Sequence, residues 1–261
     1  MSGNGTARGH VILTFAPRAR VAASSAAERV QANGDALPER ATPAEKAAIV
    51  RRLIAGHPQG RLALSARGGA RVDLRGVALP ETNLHLADLP DADLRDADLH
   101  GASLGKANLR GALLEGVNLR GADLAGALLR GAKLEGATLQ GALLEDADLR
   151  EAGLRFADLR DAVLEGADLG HADLWSTALD GTTLAGAGLR GATLREASAP
   201  GADFGGTDLR EATLQEVDLR GARLRGVDLR GATLSGCNLT EARVWLCVRT
   251  TMSSVGLTCR A

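Results

Sequence analysis

Aromatic side chains are almost missing from this sequence. They make up 2% of its 261 residues, and Tyr does not occur. Any core must therefore be aliphatic, drawn from an apolar fraction of 45%. Lysine is nearly absent as well. Lys46, Lys106 and Lys133 are the whole set, and every other basic residue is Arg. Arg favours planar, paired contacts with carboxylates, although a coding bias would give the same count. The formal net charge is -1, so no global field draws nucleic acid or an acidic membrane surface. Cys237, Cys247 and Cys259 are an odd number, with no C-x-x-C and no His nearby. That argues against a disulfide framework or a zinc site and fits a reducing, cytoplasmic compartment. No apolar run approaches the ~18 residues of a membrane span, so no membrane partner is expected. Val11–Phe15 is too short for a secretion signal.

Recognisable catalytic chemistry is also lacking. There is no Gly-x-Ser-x-Gly, no Walker loop and no dinucleotide fingerprint. His10, His57, His85, His100 and His171 are scattered, and none shares a metal-ligand spacing with Cys, Asp or Glu. The many Asp pairs stand at positions expected to face solvent, where a pKa near neutrality is not expected. The sequence is read as non-enzymatic, with no catalytic residue, cofactor or metal.

What the chain does have is a period of five. Leu stands at 74, 79, 84 and every fifth position to 239, with Ala199 and Phe204 as departures and Val244 in the last unit. These are 35 units in one frame. Two residues before each sits a small side chain: Ala in 25 units and Val, Thr or Cys in the rest. Neither a helix nor a flat strand has a period of five. A short strand segment can point the small residue and the Leu inward together, because residues two apart share a face. The remaining residues must then turn the chain. Gly occupies the second position after Leu in 19 units, which suits a turn, and Asp or Asn precedes Leu in 17, where its side chain can bond nearby backbone.

Before the repeats the character changes. Residues 1–41 are rich in Ala, Arg, Gly and Ser and are read as largely disordered, with a short helix near Ala22–Gln31. Residues 42–70 form a capping helix and a transition. Thr42 and Glu45 make a capping box, Pro43 suits the first helical position, and Gly56 ends the run. Ile49, Val50, Leu53 and Ile54 share one face that needs a surface to lie on. The open first coil of the repeat region is the nearest. Leu62 and Leu64 are read as the first strand residues. Residues 71–246 are the repeat domain, and 247–261 a C-terminal cap or tail without a helical stripe.

Units such as Ala122-Asp123-Leu124-Ala125-Gly126 and Ala167-Asp168-Leu169-Gly170-His171 resemble the pentapeptide-repeat proteins, whose pattern is Ala-(Asp/Asn)-Leu-x-x. The resemblance covers about two thirds of the chain. It implies an all-β solenoid: a right-handed, four-sided parallel β-helix, here with a short N-terminal capping helix. Four units then make one coil of about 20 residues. The 35 units make about nine coils, and with strands ~4.8 Å apart the rod is roughly 42 Å long. The interior is expected to be dry and filled. The pattern frays at Ser198-Ala199-Pro200. There Phe204 is expected to fill volume that Ala199 leaves, and Pro200 to mark a bulge.

Function must then lie on the surface. Stepping by 20 places Arg110, Arg130, Arg150, Arg190, Arg210 and Arg230 in one column, with Gly170 as its gap. Asp148, Asp208 and Asp228, two residues before three of them, are expected to neutralise the column. Direct nucleic-acid binding, which needs excess positive charge, is therefore not expected. A second side stacks Arg155, Trp175 and Arg195, with Phe156 at the neighbouring corner. These are the candidate protein contacts, with the indole between two guanidinium groups. A self-contained cation–π stack is the alternative.

The leading functional reading is a non-enzymatic, rigid scaffold for protein interaction. The resemblance also implies a second: some family members mimic DNA in width and charge, bind DNA gyrase and protect it from poisons. Those mimics are acidic and dimerise through a C-terminal helix. This chain is near neutral, and Cys247–Ala261 carries no such pattern. A homodimer remains open.

Overall fold

The backbone of one unit shows how a period of five builds a corner. Consider Asp148–Ala152 in the computed structural model. Asp148 N–H donates to Ala127 O on the preceding coil, and Leu149 N–H to Asp168 O on the next. Glu151 N–H also reaches forward, to Gly170 O at 2.9 Å, and Ala152 N–H closes a turn onto Leu149 O at 3.0 Å. Leu149 to Ala152 is a β-turn whose third residue, Glu151, has φ 59°, the signature of a type II turn. One donor is left over, Arg150 N–H. The Asp148 side chain accepts it at 3.3 Å. Every N–H of the unit thus has a partner, as a closely packed backbone requires.

This accounting repeats along the rod. The second residue after each core position has positive φ in all 34 described units, from Gly76 to Glu241. Of these residues 19 are Gly and 15 are not. Asp or Asn before the Leu accepts the leftover N–H in 16 of its 17 occurrences. The exception, Asp88, is followed by Leu89 and then Pro90, which has no N–H to give.

The structure describes residues 11–17, 30–31, 41–56, 60–66 and 71–245. Each rung of the repeat domain lies parallel to the rung 20 residues on, from Asp73 with Asp93 to Asp218 with Asn238. The result is a right-handed, four-sided parallel β-helix. Its axis is filled by columns of Leu and Ala, most at 0–1% exposure. Polar residues in the small column are satisfied inside. Thr177, Thr182 and Thr207 donate their hydroxyls to the carbonyls of Leu154, Leu159 and Leu184 at 2.8–3.0 Å. The described C-terminal end is less closed. Leu234, Leu239 and Val244 are only partly buried.

The N-terminal end is covered by two devices. Helix α1 (Pro43–Gly56) begins with the expected capping box: Glu45 N–H donates to Thr42 Oγ1, and Thr42 N–H to Glu45 Oε2. It lies on the first coil. Val50 and Leu53 are buried as expected, and so is Ala47, while Ile49 and Ile54 pack at the edge. Lys46 Nζ meets Asp73 at 2.8 Å and Arg51 donates to Ala78 O at 2.6 Å.

The second device departs from expectation. Strand β1 (Val11–Pro17) pairs antiparallel with β2 (Val30–Gln31) on one side and β3 (Gly60–Ala66) on the other. β3 in turn joins the rod, with Ala63 bridging Asp88, and buries Leu62 and Leu64. The reading of 1–41 as disordered contains no strand. Its helix near 22–31 falls largely outside the described residues, and Val30 and Gln31 belong to β2. Residue 246 and the tail at 247–261 also lie outside.

Pro200 makes no bulge. Ser198 bridges Ala178 and Asp218 in regular register, and Gly181 N–H still reaches Pro200 O at 3.0 Å. The reason lies in the unit. Pro200, like Pro80 and Pro90, occupies the position after the core residue, whose N–H the coil ladder does not use. Its fixed φ also suits the second position of a type II turn. Ala199 and Phe204, on adjacent sides of one coil, are both fully buried, the arrangement that exchange of volume requires.

The unit therefore dictates where proline is tolerated. Gln140→Pro is expected to shift unfolding free energy by less than ~1 kcal/mol. Thr138→Pro, two residues earlier, removes the N–H that bonds Val117 O at 2.9 Å and is expected to cost ~3 kcal/mol or more. Urea melts of the two variants check this; equal losses would remove the positional account.

Candidate functional site

The outward side chains are placed by the same unit. The residue before Leu and the residue after it project from one side of the rod, so Asp-Leu-Arg sets a carboxylate and a guanidinium together. Arg150 grips Asp148 with two nitrogens at 2.7 and 2.8 Å. Arg210 with Asp208 and Arg230 with Asp228 do the same. Where the unit supplies no acid, the arginine reaches elsewhere. Arg130 follows Leu128, and Arg190 follows Gly188. They bond Glu151 and Glu211, the corner residues of the next coil, at 2.7 and 2.8 Å. Arg110 follows Asn108, and its matching corner is Gly131, so it has no acid to reach.

The expected column thus exists, and five of its six arginines are ion-paired. The aspartates were legible in the sequence. Glu151 and Glu211 were missed, though stepping 21 residues from Arg130 and Arg190 finds them. Hydrogen bonds from Arg95, Arg150, Arg160 and Arg210 hold the carboxyls of Asp93, Asp148, Asp158 and Asp208 below the usual range.

The second candidate cluster is rearranged from expectation. Arg155 lies over the Trp175 ring, 4.7 Å from its centre, and binds Asp173 at 2.8 Å. The other neighbour of the indole is not Arg195. Phe156 stands there, with ring centroids 5.1 Å apart and planes tilted by 52°. Arg195 remains exposed. Trp175 is half-buried between Arg155 and Phe156, and its Nε1 is buried without an acceptor. Phe156 is 58% exposed and holds φ 59°. The corner turn points it outward beside the indole, a geometry that stepping by 20 cannot reveal.

His100 Nδ1 lies 2.8 Å from Asp98 Oδ1. Among the described residues no group of His, Cys, Asp or Glu is arranged to hold a metal ion, and no helix is long and apolar enough to cross a membrane.

Two expectations follow from the charge pairs. Asp93, Asp148, Asp158 and Asp208 have depressed folded pKa values, so their contribution is present above the ordinary carboxylate value of ~3.9 and is lost as pH falls through the folded values. The melting temperature should stay level from neutral pH to about 4 and then decline, less steeply in high salt. A decline that began near pH 6 would contradict the pairing. Because the arginine column is neutralised, duplex DNA should not bind. Arg130→Gln, Arg150→Gln and Arg190→Gln together should change that nothing and cost little stability. Salt-sensitive binding by the wild type, lost in the triple variant, would reverse the reading.

A family model for pentapeptide repeats matches in 8 copies between residues 70 and 243. No curated protein matches the chain. Among solved structures, trypsin-treated QnrB1, described as a plasmid-mediated fluoroquinolone resistance protein, is 23% identical with a TM-score of 0.53, over 63% of this chain and 92% of that one. HetL from Nostoc sp. strain PCC 7120, a pentapeptide repeat protein involved in heterocyst differentiation regulation, is 33% identical over 74% of this chain and 94% of that one, with a TM-score of 0.38. A pentapeptide repeat protein of the Arabidopsis thaliana thylakoid lumen is 26% identical over 47% of this chain and 68% of its own, with a TM-score of 0.28. The matched span coincides with the coils whose corners, inward columns and 20-residue register are described above, and the chain belongs to the pentapeptide-repeat family.

Proposed function

We propose that the chain is a non-enzymatic, rigid scaffold that presents a fixed surface to a protein partner, with the contact centred on Phe156, Trp175 and Arg155. The observation that carries this reading is Phe156. Of the 15 non-glycine corners, ten are Asp or Glu and one is aromatic. A bulky residue at positive φ is strained, and an exposed one recovers little from burial. Folding alone gives no reason for Phe at that corner. Trp175 and Arg155 hold the ring in one direction, so little freedom is lost when a partner covers it. Aromatic residues and Arg are also the side chains that dominate interface energetics. The repeat fold supports the scaffold half of the proposal.

A second reading, protection of DNA gyrase from poisons, draws on the fold shared with QnrB1. The paired arginine column leaves the rod without the uniformly acidic surface that mimicry of DNA would use.

Phe156→Gly separates fold from function. Glycine takes positive φ freely, which offsets the lost ring contact of ~0.5–1.5 kcal/mol, so the melting temperature should stay within a few degrees. A photo-crosslinker at Ser176, the corner above Phe156, should capture a protein in cells, and the yield should fall at least ~10-fold in Phe156→Gly, as for loss of an anchor residue. Equal yields would reject this contact. Relief of poisoned gyrase in a supercoiling assay, lost with Phe156→Gly, would favour the second reading.

A further inference from the structure

The four sides of the rod differ in relief. Three carry arginines in their middle coils, among them Arg150, Arg155 and Arg160. The fourth is built on the rungs at Asp123, Leu143, Val163, Thr183, Asp203, Arg223 and Arg243, each bridged in parallel to the next. Its middle is small, with Val163, Thr183, Ala185 and Gly205 edged by the corner glycines Gly166, Gly186 and Gly206, and carries only Glu165 and Asp203 as charges. Leu143, 40% exposed, stands in the same surface.

Apart from Asp203, which Arg223 binds, the charges on this side are sorted by position along the rod. Asp123, Glu145 and Glu165 lie toward the N-terminal end, and Arg223, Arg225 and Arg243 toward the C-terminal end. They are also mostly unspent within the chain. Arg223 is tied to Asp203 at 3.3 Å. Glu145, Glu165, Arg225 and Arg243 form no ion pair among the described residues, although pairing is the rule in the arginine column.

We propose that this side is a self-complementary interface, joined to the same side of a second copy with the two rods antiparallel. A two-fold axis along the rung of Thr183 places Glu145 of each copy opposite Arg225 of the other, and Asp123 opposite Arg243. Glu165 then meets Gly205, which has no side chain to oppose it, while Val163 and Leu143 meet Asp203 and Arg223, whose charges already pair with each other within the chain. At the axis Thr183 and Ala185 meet their own copies, small enough for two sheets to approach to the usual ~10 Å. Parallel rods would set arginines against arginines, so charge selects the antiparallel arrangement. Each contact occurs twice, as an isologous interface requires. Seven rungs span only about 29 Å at ~4.8 Å spacing, less than a standard interface, so the dimer is weak and sensitive to salt.

Sedimentation velocity on the full chain tests this. The wild type should dimerise reversibly at low ionic strength and dissociate as salt rises. Arg225→Glu alone and Glu145→Arg alone should each weaken self-association at least ~10-fold, since each sets like charges together. Mixing the two variants should restore the dimer, because one copy then carries Arg at 145 and 225 and the other Glu at both. Recovery on mixing also shows that both variants are folded. A wild type that stays monomeric throughout, or dimers untouched by either reversal, would overturn the interface. Weakening by both without recovery on mixing would overturn the antiparallel register.

Discussion

Each coil closes because one residue in five holds a left-handed backbone conformation. Without it the chain would run on as a strand, and the inward Leu would alternate out of the core within two units. The corner makes every turn alike, so the side at one rung lies above the same side 20 residues earlier. Hydrogen bonds between coils, stacked Leu and Ala, and fixed outward columns all follow. Glycine supplies this conformation without strain, yet 15 of 34 corners do without it. Those corners are tolerated because three ladder bonds and one turn bond per unit over-determine the backbone around them.

The strain at those corners also gives them value. A charged residue at positive φ stands clear of the flat sides and can reach the neighbouring coil. Glu151 and Glu211 do this for Arg130 and Arg190. Asp or Glu at a corner thereby completes an ion pair that the adjoining unit lacks. Phe156, like Leu86, Lys106, His171 and Ser176, is a corner to which this explanation does not extend. It pairs with no charge, and its contact with Trp175 leaves more than half of it in solvent. Among the five corners that are neither Gly nor acidic, it is the one that exposes a large apolar side chain.

Much of the rod was legible in the sequence, because its long-range contacts repeat a local pattern. Once Leu149 is inward, so are Leu129 and Leu169, and 20-residue stepping finds the arginine column. Legibility ends where that link is broken. Nothing near Val11 states that it pairs with residues around Ala66, since an antiparallel sheet of distant segments leaves no shared period. The helix was readable from Thr42 and Glu45, which cap it locally, but the burial of Ala47 depends on how the helix sits on the first coil. Pro200 misled because proline is judged by its missing N–H. The relevant fact was which N–H the coil leaves unused. Trp175 misled differently: stepping fixes its column but not the rotamer that turns it toward Phe156.

A solenoid with a uniform interior can vary its surface with little effect on its core, so surface charges that remain unpaired are informative. Most Asp-Leu-Arg units close their own charge locally, which leaves the rod nearly neutral side by side and not just in total. Neutral sides of this kind neither attract DNA nor repel one another. Against that background the fourth side differs in kind. Apart from the Asp203–Arg223 pair, its acids and bases are separated along the axis by several rungs, too far to meet within one chain, and its middle is stripped of bulk. Local pairing would have needed only an Asp at 223 beside Arg225 or an Arg at 143 beside Glu145, in the same unit pattern that the other sides use. Separation of charge with a flat centre has one geometric remedy that uses no other molecule, which is rotation of the surface onto itself.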